Sequence, residues 1–131
     1  MSHPNLDLIA RVYWAFDDRD FSVIPRVFDS DIDIKQAAEL PWGGHHHGHE
    51  GAVEFFTTLL AHIDSKVTSE HLFAAGDAVV QSGRTSGITR TGGTAFDVAE
   101  MHVWSLYEGR VAGFDAYVDT PAMLAALEAG R

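Results

Sequence analysis

From Val67 to Val118 the chain is made of four strand-like runs, Val67–Ala75, Ala78–Thr89, Ala95–Leu106 and Val111–Val118. Only Gly76-Asp77, a turn at Thr91-Gly92-Gly93 and Glu108-Gly109 separate them. Separators this short, built from glycine and acidic residues, are hairpin signals, so consecutive strands must be antiparallel neighbours. A four-strand meander has an apolar face to cover, and the cover has to come from the first half of the chain. There Leu8, Ile9, Val12, Tyr13 and Phe16 recur at helical spacing and predict a helix over 6–18 with Asn5 as its N-cap. A shorter helix over 22–28 follows, with Pro25 tolerated in its first turn and Ile24, Val27 and Phe28 facing inward. A strand is expected over 31–37, then a loop from Pro41 through the glycine–histidine run to Gly48. A third helix over 50–63 carries the stripe Val53, Phe56, Leu60 and Ile63. Thr120-Pro121 opens a last helix, apolar at Met123, Leu124 and Leu127 and ended by Gly130. The fold class is α+β.

With 131 residues and 46% hydrophobic content, the expectation is one domain over 1–131. The net charge of −10, without any Lys/Arg cluster, argues against nucleic acid and against anionic membrane surfaces as partners. The absence of cysteine excludes a disulfide framework, a thiolate nucleophile and a finger-type zinc site. Together with the lack of a leader-like or spanning apolar run, it leads us to expect a soluble, cytoplasmic protein.

Function is best sought in the third strand of the meander. Phe96, Val98, Glu100, His102, Trp104 and Leu106 alternate with less apolar residues, and strand side chains repeat with period two, so this face should be the buried one. Glu100 and His102 then point inward. Two inward ionisable groups suggest a wet cavity rather than a dry core, although a core histidine satisfied by a neighbouring group is an equal reading for His102. If Val80, Ser82 and Arg84 also face inward, Arg84 meets Glu100 as a cross-strand ion pair or serves as a polar anchor for a ligand. Trp42, Trp104 and Phe114 are expected as cavity wall or core. The run His45-His46-His47-Gly48-His49 suggests a metal, but glycine-flanked loop histidines lack the support that fixes ligands. A loop over the cavity mouth, with His47 or His49 starting the third helix and no bound metal, is preferred.

Two short helices, a strand, a Trp-Gly-Gly-His…His-Gly-x-x-Gly loop entering a helix, and a meander ending Gly-Arg-Val…Asp-Thr resemble the nuclear transport factor two-like superfamily. Within it the chain is most similar to the SnoaL-like branch. The resemblance covers nearly the whole chain and rests on Asp20-Phe21…Ile24…Val27-Phe28, on His47-Gly48-His49-Glu50-Gly51 with Phe55-Phe56, and on His102-Val103-Trp104…Gly109-Arg110-Val111. It implies a cone-shaped α+β barrel, in which a strongly curved, mostly antiparallel sheet wraps around the N-terminal helices and opens at a ligand pocket. Fold alone does not fix the activity, because the superfamily holds isomerases, cyclases, dehydratases, epoxide hydrolases and binding modules.

Three enzyme templates are implied by the resemblance. The ketosteroid isomerase template puts its base position at Gln36, its tyrosine position at Val12, next to Tyr13, and its third-strand acid at His102; Gln36 cannot be a base. The SnoaL-like cyclase template puts its histidine at His102 and its aspartate at Ala116, next to Asp115. Simple alternation turns Phe114, Ala116 and Val118 inward and Asp115 outward, so a bulge would be needed to bring Asp115 in. A histidine-based dehydratase would use His102, helped by His71 or a loop histidine, with Tyr13 polarising an oxygen. The expectation drawn from all three is a small-molecule-binding protein acting on an apolar, oxygenated, polyketide- or steroid-like ligand without a cofactor. His102 is the acid/base, Tyr13 a hydroxyl donor and Asp115 a conditional second acid. Glu100, Arg84, Trp104, Phe114, Trp42, Gln36 and Ala116 contact the ligand. A homodimer through the outer face of the sheet is expected. The alternative is a non-catalytic ligand-binding or dimeric interaction domain with a filled pocket.

Overall fold

A computed structural model describes residues 3–129. Helix α1 (Pro4–Asp17) begins with proline at its first position, where the fixed φ suits a helix start and no N–H is lost. His3, rather than Asn5, occupies the N-cap. Its buried face is Ile9 and Val12, and burying two such side chains contributes about 1.5–3 kcal/mol each. Helix α2 (Val23–Val27) is a single turn that leads straight into strand β1 (Phe28–Gln36). Strand β2 (Gly44–His47), helix α3 (Gly48–His62), strands β3 (Ile63–Ala75), β4 (Ala78–Thr89), β5 (Ala95–Tyr107) and β6 (Arg110–Val118), and helix α4 (Thr120–Glu128) complete the order. The chain is α+β, as expected.

The six strands form one open sheet in the order β2-β1-β6-β5-β4-β3. The meander β3–β6 is antiparallel throughout, and β1 joins its far edge parallel to β6. Helices pack on one face, and Trp42, Trp104, Phe28 and Phe55 are the largest fully buried side chains of the core between the layers. Asp119 caps α4 by accepting from the Ala122 N–H, with proline in the first turn. The expected stop at Gly130 lies outside the described residues. Among the described residues no helix is long and apolar enough to cross a membrane.

Three local expectations are corrected. The histidine run is not a loop over the mouth: Gly44–His47 is an edge strand, antiparallel to β1 with Asp33 opposite His47 and Lys35 opposite His45. Period-two alternation explains it. His45 and His47 both donate to Asp33 Oδ1, at 2.7 and 2.9 Å, on the exposed face. His46 turns inward, donating to the carbonyls of Trp42 and Gly43 at 3.1 Å each and packing against Phe55. The second correction concerns α3, which buries Ala52 and Phe55 and leaves Val53 half exposed, so the expected stripe is rotated by one position. The third is that β3 begins directly at Ile63, with no loop after α3.

Gly83 shows why the sheet can bend where it does. A Cβ at this position would lie 2.0 Å from the Thr68 carbonyl oxygen, next to the irregularity between Ser69 and His71 where β3 shifts register against β4. Only a residue without a side chain lets the two strands approach this closely. Gly83→Ala is therefore expected to destabilise the fold by roughly 2 kcal/mol. Urea denaturation checks this, and an unchanged midpoint would show that β3 yields freely.

Candidate functional site

A cavity of about 460 Å³ lies between the helices and the inner face of the sheet. Tyr13 of α1, Gln36 at the end of β1, Trp42, Phe55 and Phe56 of α3, Thr85 of β4, and Phe114 and Ala116 of β6 line it, with Glu100, His102 and Trp104 of β5. Its rim carries Trp14, which is 72% exposed, together with Asp17, Arg19 and Lys66. Arg19, two residues past the end of α1, reaches β3 there, donating to the Ser65 carbonyl at 2.6 Å.

The register of β5 builds the floor. Glu100 lies between Gly83 and Val118, His102 between Gln81 and Ala116, and Trp104 between Val79 and Phe114. Trp104 and Phe114 stack with centroids 4.0 Å apart, and the His102 ring meets the Phe114 ring at 5.0 Å in an edge arrangement. The small Ala116 beside His102 leaves space above the imidazole.

Polar contacts on this floor run as one chain. The Trp104 indole N–H donates to the Tyr13 hydroxyl at 2.8 Å. The same hydroxyl lies 2.7 Å from His102 Nδ1 and 3.5 Å from Gln81 Oε1. His102 Nε2 is 3.2 Å from Glu100 Oε2. An ionised carboxylate can only accept, so the imidazole proton sits on Nε2 facing Glu100, and Nδ1 is then the nearer acceptor for the phenolic proton. Gln81, fully buried, is oriented by its own donation to Ser69 Oγ at 3.0 Å.

Burial dominates the titration of all three groups. It pushes the Tyr13 phenol well above the usual tyrosine range, raises Glu100 to about 7 and lowers His102 to about 3. At neutral pH the imidazole is therefore a neutral hydrogen-bonding group. The carboxyl of Glu100, 1% exposed, has no aligned hydrogen bond on either oxygen.

Eight of the expected site residues converge here: Tyr13, Gln36, Trp42, Glu100, His102, Trp104, Phe114 and Ala116. Gln36 is held away from base chemistry, accepting from the Trp42 indole at 2.8 Å. Two expectations are corrected. Arg84 faces outward and pairs with Asp97 at 2.6 Å, because β4 opposes β5 with Arg84 against Ala99 and Gly83 against Glu100. The odd residues of β4, Val79, Gln81 and Thr85, are the inward ones. Asp115 also stays outside, in a shallow groove with Lys35, Ala37 and Thr120. A bulge does exist in β6, where Ser105 opposes Gly113 but Leu106 opposes Val111, leaving Ala112 unpaired. It turns both Val111 and Phe114 inward and so fixes Asp115 outward. His71 is exposed opposite Ser82, away from the floor. Sequence reasoning missed Gln81 and Thr85, and the alternation of Val79, Gln81, Gly83 and Thr85 was the available signal.

The histidines of β2 are committed elsewhere. Hydrogen bonds from His47 and then His45 hold the Asp33 carboxyl below its ordinary range, and Asp33 in turn raises His47. His49 Nε2 donates to the Phe28 carbonyl at 2.8 Å. Among the described residues no group of three or more His, Asp or Glu side chains is arranged to hold a metal ion.

A curved open sheet with a polar floor and an aromatic cavity defines the class of protein, and the comparisons agree with it. The chain matches the SnoaL-like domain over residues 9–114, and it belongs to that family. Among solved structures, an NTF2-like protein of unknown function from Burkholderia pseudomallei is 22% identical, with a TM-score of 0.91 over 98% of this chain and 100% of that one. TerC, co-crystallised with polyporic acid, is 24% identical with a TM-score of 0.88 over 97% of this chain and 100% of its own. A candidate SnoaL-like polyketide cyclase from Jannaschia sp. is 20% identical with a TM-score of 0.85 over 98% and 94%. No curated protein matches this chain.

The raised Glu100 carboxyl has a consequence for stability. Its ionised form is penalised in the folded state, so the penalty is present above about pH 7 and is relieved as pH falls from 7 toward the ordinary value of 4.5. Relative to the unsubstituted protein, Glu100→Gln is expected to be more stable at pH 8, by on the order of 1–3 kcal/mol, with the difference shrinking at pH 5. Urea titrations at both pH values check this; a variant less stable at pH 8 would show that the carboxylate is satisfied.

Proposed function

We propose that this SnoaL-like protein binds a small, mostly apolar, oxygenated molecule, polyketide- or steroid-like in character, and moves a proton on it without a cofactor. Lyase, isomerase or cyclase chemistry would all begin this way. The observation that carries the proposal is the convergence of Tyr13, His102 and Glu100 inside an otherwise aromatic cavity open at one rim. A purely structural core has no use for a buried carboxyl without an aligned hydrogen bond or a cation beside it, whereas a proton-transfer site does. In this arrangement Trp104 and Tyr13 hold His102 in one tautomer, and the aromatic walls exclude water from the reacting atoms. TerC bound to polyporic acid and the candidate polyketide cyclase lend support as relatives of like fold.

A second reading, a non-catalytic binding module, draws on the outward Asp115 and on Gln36 at the base position of the isomerase template, since both enzyme templates then lack their carboxylate. Deuterium exchange at the carbons beside the carbonyl of 2-tetralone in heavy water separates the two. Exchange above the buffer rate at neutral pH, reduced about tenfold or more in His102→Ala and in Tyr13→Phe, is expected for the enzyme. Binding of 2-tetralone without exchange would favour the module.

The protein is further proposed to pair with a second copy through the outer face of the sheet. Met101 and Tyr117, 43% and 57% exposed, sit side by side on β5 and β6 in one row with Ser82 and His71, and exposed Phe73 flanks them. Contiguous exposed apolar side chains of this kind mark interaction surfaces. Light scattering is expected to give a dimer that Met101→Glu converts to a monomer; a monomeric unsubstituted protein at high micromolar concentration would contradict it.

A further inference from the structure

We propose that Glu100, rather than His102, is the group that takes and returns the proton in this cavity, and that its carboxyl receives a ligand hydroxyl or an acidic C–H beside a ligand carbonyl. The step rests on the ligand-binding reading above and deepens it by naming the proton acceptor and the ligand chemistry.

Geometry carries the assignment. Both nitrogens of His102 are occupied, Nδ1 by the Tyr13 hydroxyl at 2.7 Å and Nε2 by its approach to Glu100 at 3.2 Å. An ionised Glu100 only accepts, so the imidazole proton sits on Nε2 facing it, Nδ1 accepts from Tyr13, and His102 presents no lone pair to the cavity. Glu100 is the opposite case. It lines the cavity and is enclosed; His102 approaches Oε2 at 3.2 Å without an aligned hydrogen bond, and Oε1 has no aligned partner. A buried carboxyl in that state has acceptor capacity left over, which a hydroxylated ligand can fill.

The surroundings agree. The polar groups facing Glu100 are Tyr13 from α1, Gln81 from β4 and His102 from β5, with the exposed Glu70 of β3 adding negative charge at a distance. Among the described residues no Lys or Arg pairs with it, and Arg84, the cation nearest in register, lies on the other face of β4. Nothing therefore holds the carboxylate permanently ionised, and burial brings it to the range where a base both accepts and releases a proton at neutral pH.

In the step itself, the ligand O–H or C–H bond breaks and its electron pair stays on the ligand as a phenolate or enolate. The proton bonds to a Glu100 oxygen. Its return to a different ligand atom restores the carboxylate and completes an isomerisation, and its delivery to a leaving oxygen completes an elimination. The ligand class that follows is a phenol, an enol or a ketone with an acidic neighbouring carbon, carried on an apolar ring system that fits against Phe56 and Phe114.

The test uses the whole protein with 13C at the glutamate side-chain carboxyls and 15N in the histidine rings. The Glu100 signal, identified by its loss in Glu100→Gln, is expected to titrate near neutral pH, while His102 stays neutral with its proton on Nε2 between about pH 5 and about pH 8. A His102 that charges in that range beside a permanently ionised Glu100 would overturn the assignment. In parallel, 2-naphthol binding is followed by fluorescence. Glu100→Gln is expected to weaken it about tenfold or more with an unfolding midpoint no lower than that of the unsubstituted protein; equal affinity in the variant would overturn the ligand part. Failure of the unsubstituted protein to bind 2-naphthol would count against the ligand-binding reading, with the titration still deciding which residue holds the proton.

Discussion

An indole N–H can donate and never accept, and the position of Trp104 beneath Tyr13 makes that asymmetry organise the cavity floor. The Tyr13 oxygen receives the indole proton at 2.8 Å, and with Nε2 of His102 turned to the Glu100 carboxylate its own proton is directed at Nδ1, 2.7 Å away. The same contacts tie α1 to β5, so the helix that covers the sheet is positioned by the group it helps to orient. Aromatic packing supports the chain from the other side, with Phe114 stacked on Trp104 and edge-on to His102.

Burial has opposite effects on the two ionisable residues of β5. It removes the positive form of His102 and the negative form of Glu100, so the pair is close to neutral together when each alone would strain the core. A carboxyl without aligned partners is a local cost to the fold. Departures of this kind from an otherwise consistent core are concentrated at functional sites, where the energy is recovered on binding or reaction. On the outside, the ion pairs of Arg84 with Asp97 and of Asp33 with its two histidines are exposed and contribute little to stability.

Much of the fold is legible because its signals are local: glycine-rich separators for the meander, Thr120-Pro121 at the start of α4, and period two along β5. That last pattern alone placed Glu100, His102 and Trp104 on the floor. What sequence could not supply was register. Arg84 faces outward because the pairing sets Gly83, not Arg84, against Glu100, and the weak alternation along β4 does not by itself choose between its two faces. Asp115 depended on where a bulge falls, and one at Ala112 keeps it out where one nearer Asp115 would have turned it in. Composition makes the histidine run look like a loop, although Asp33, Ile34, Lys35 and Gln36 of β1 form the other half of a strand pair with it.

The most direct test of the cavity as a ligand site is a thermal-shift series on the unsubstituted protein and on Ala116→Trp, which fills the space above His102, with hydroxylated aromatics, polyketide-like ketones and steroids. A ligand that binds only the native state must raise the unfolding midpoint. An organic compound that raises it in the unsubstituted protein and loses that effect in Ala116→Trp is the predicted result. No organic shift, with a higher midpoint for Ala116→Trp on its own, would mean that the cavity is only a packing defect and that the function lies elsewhere on the molecule.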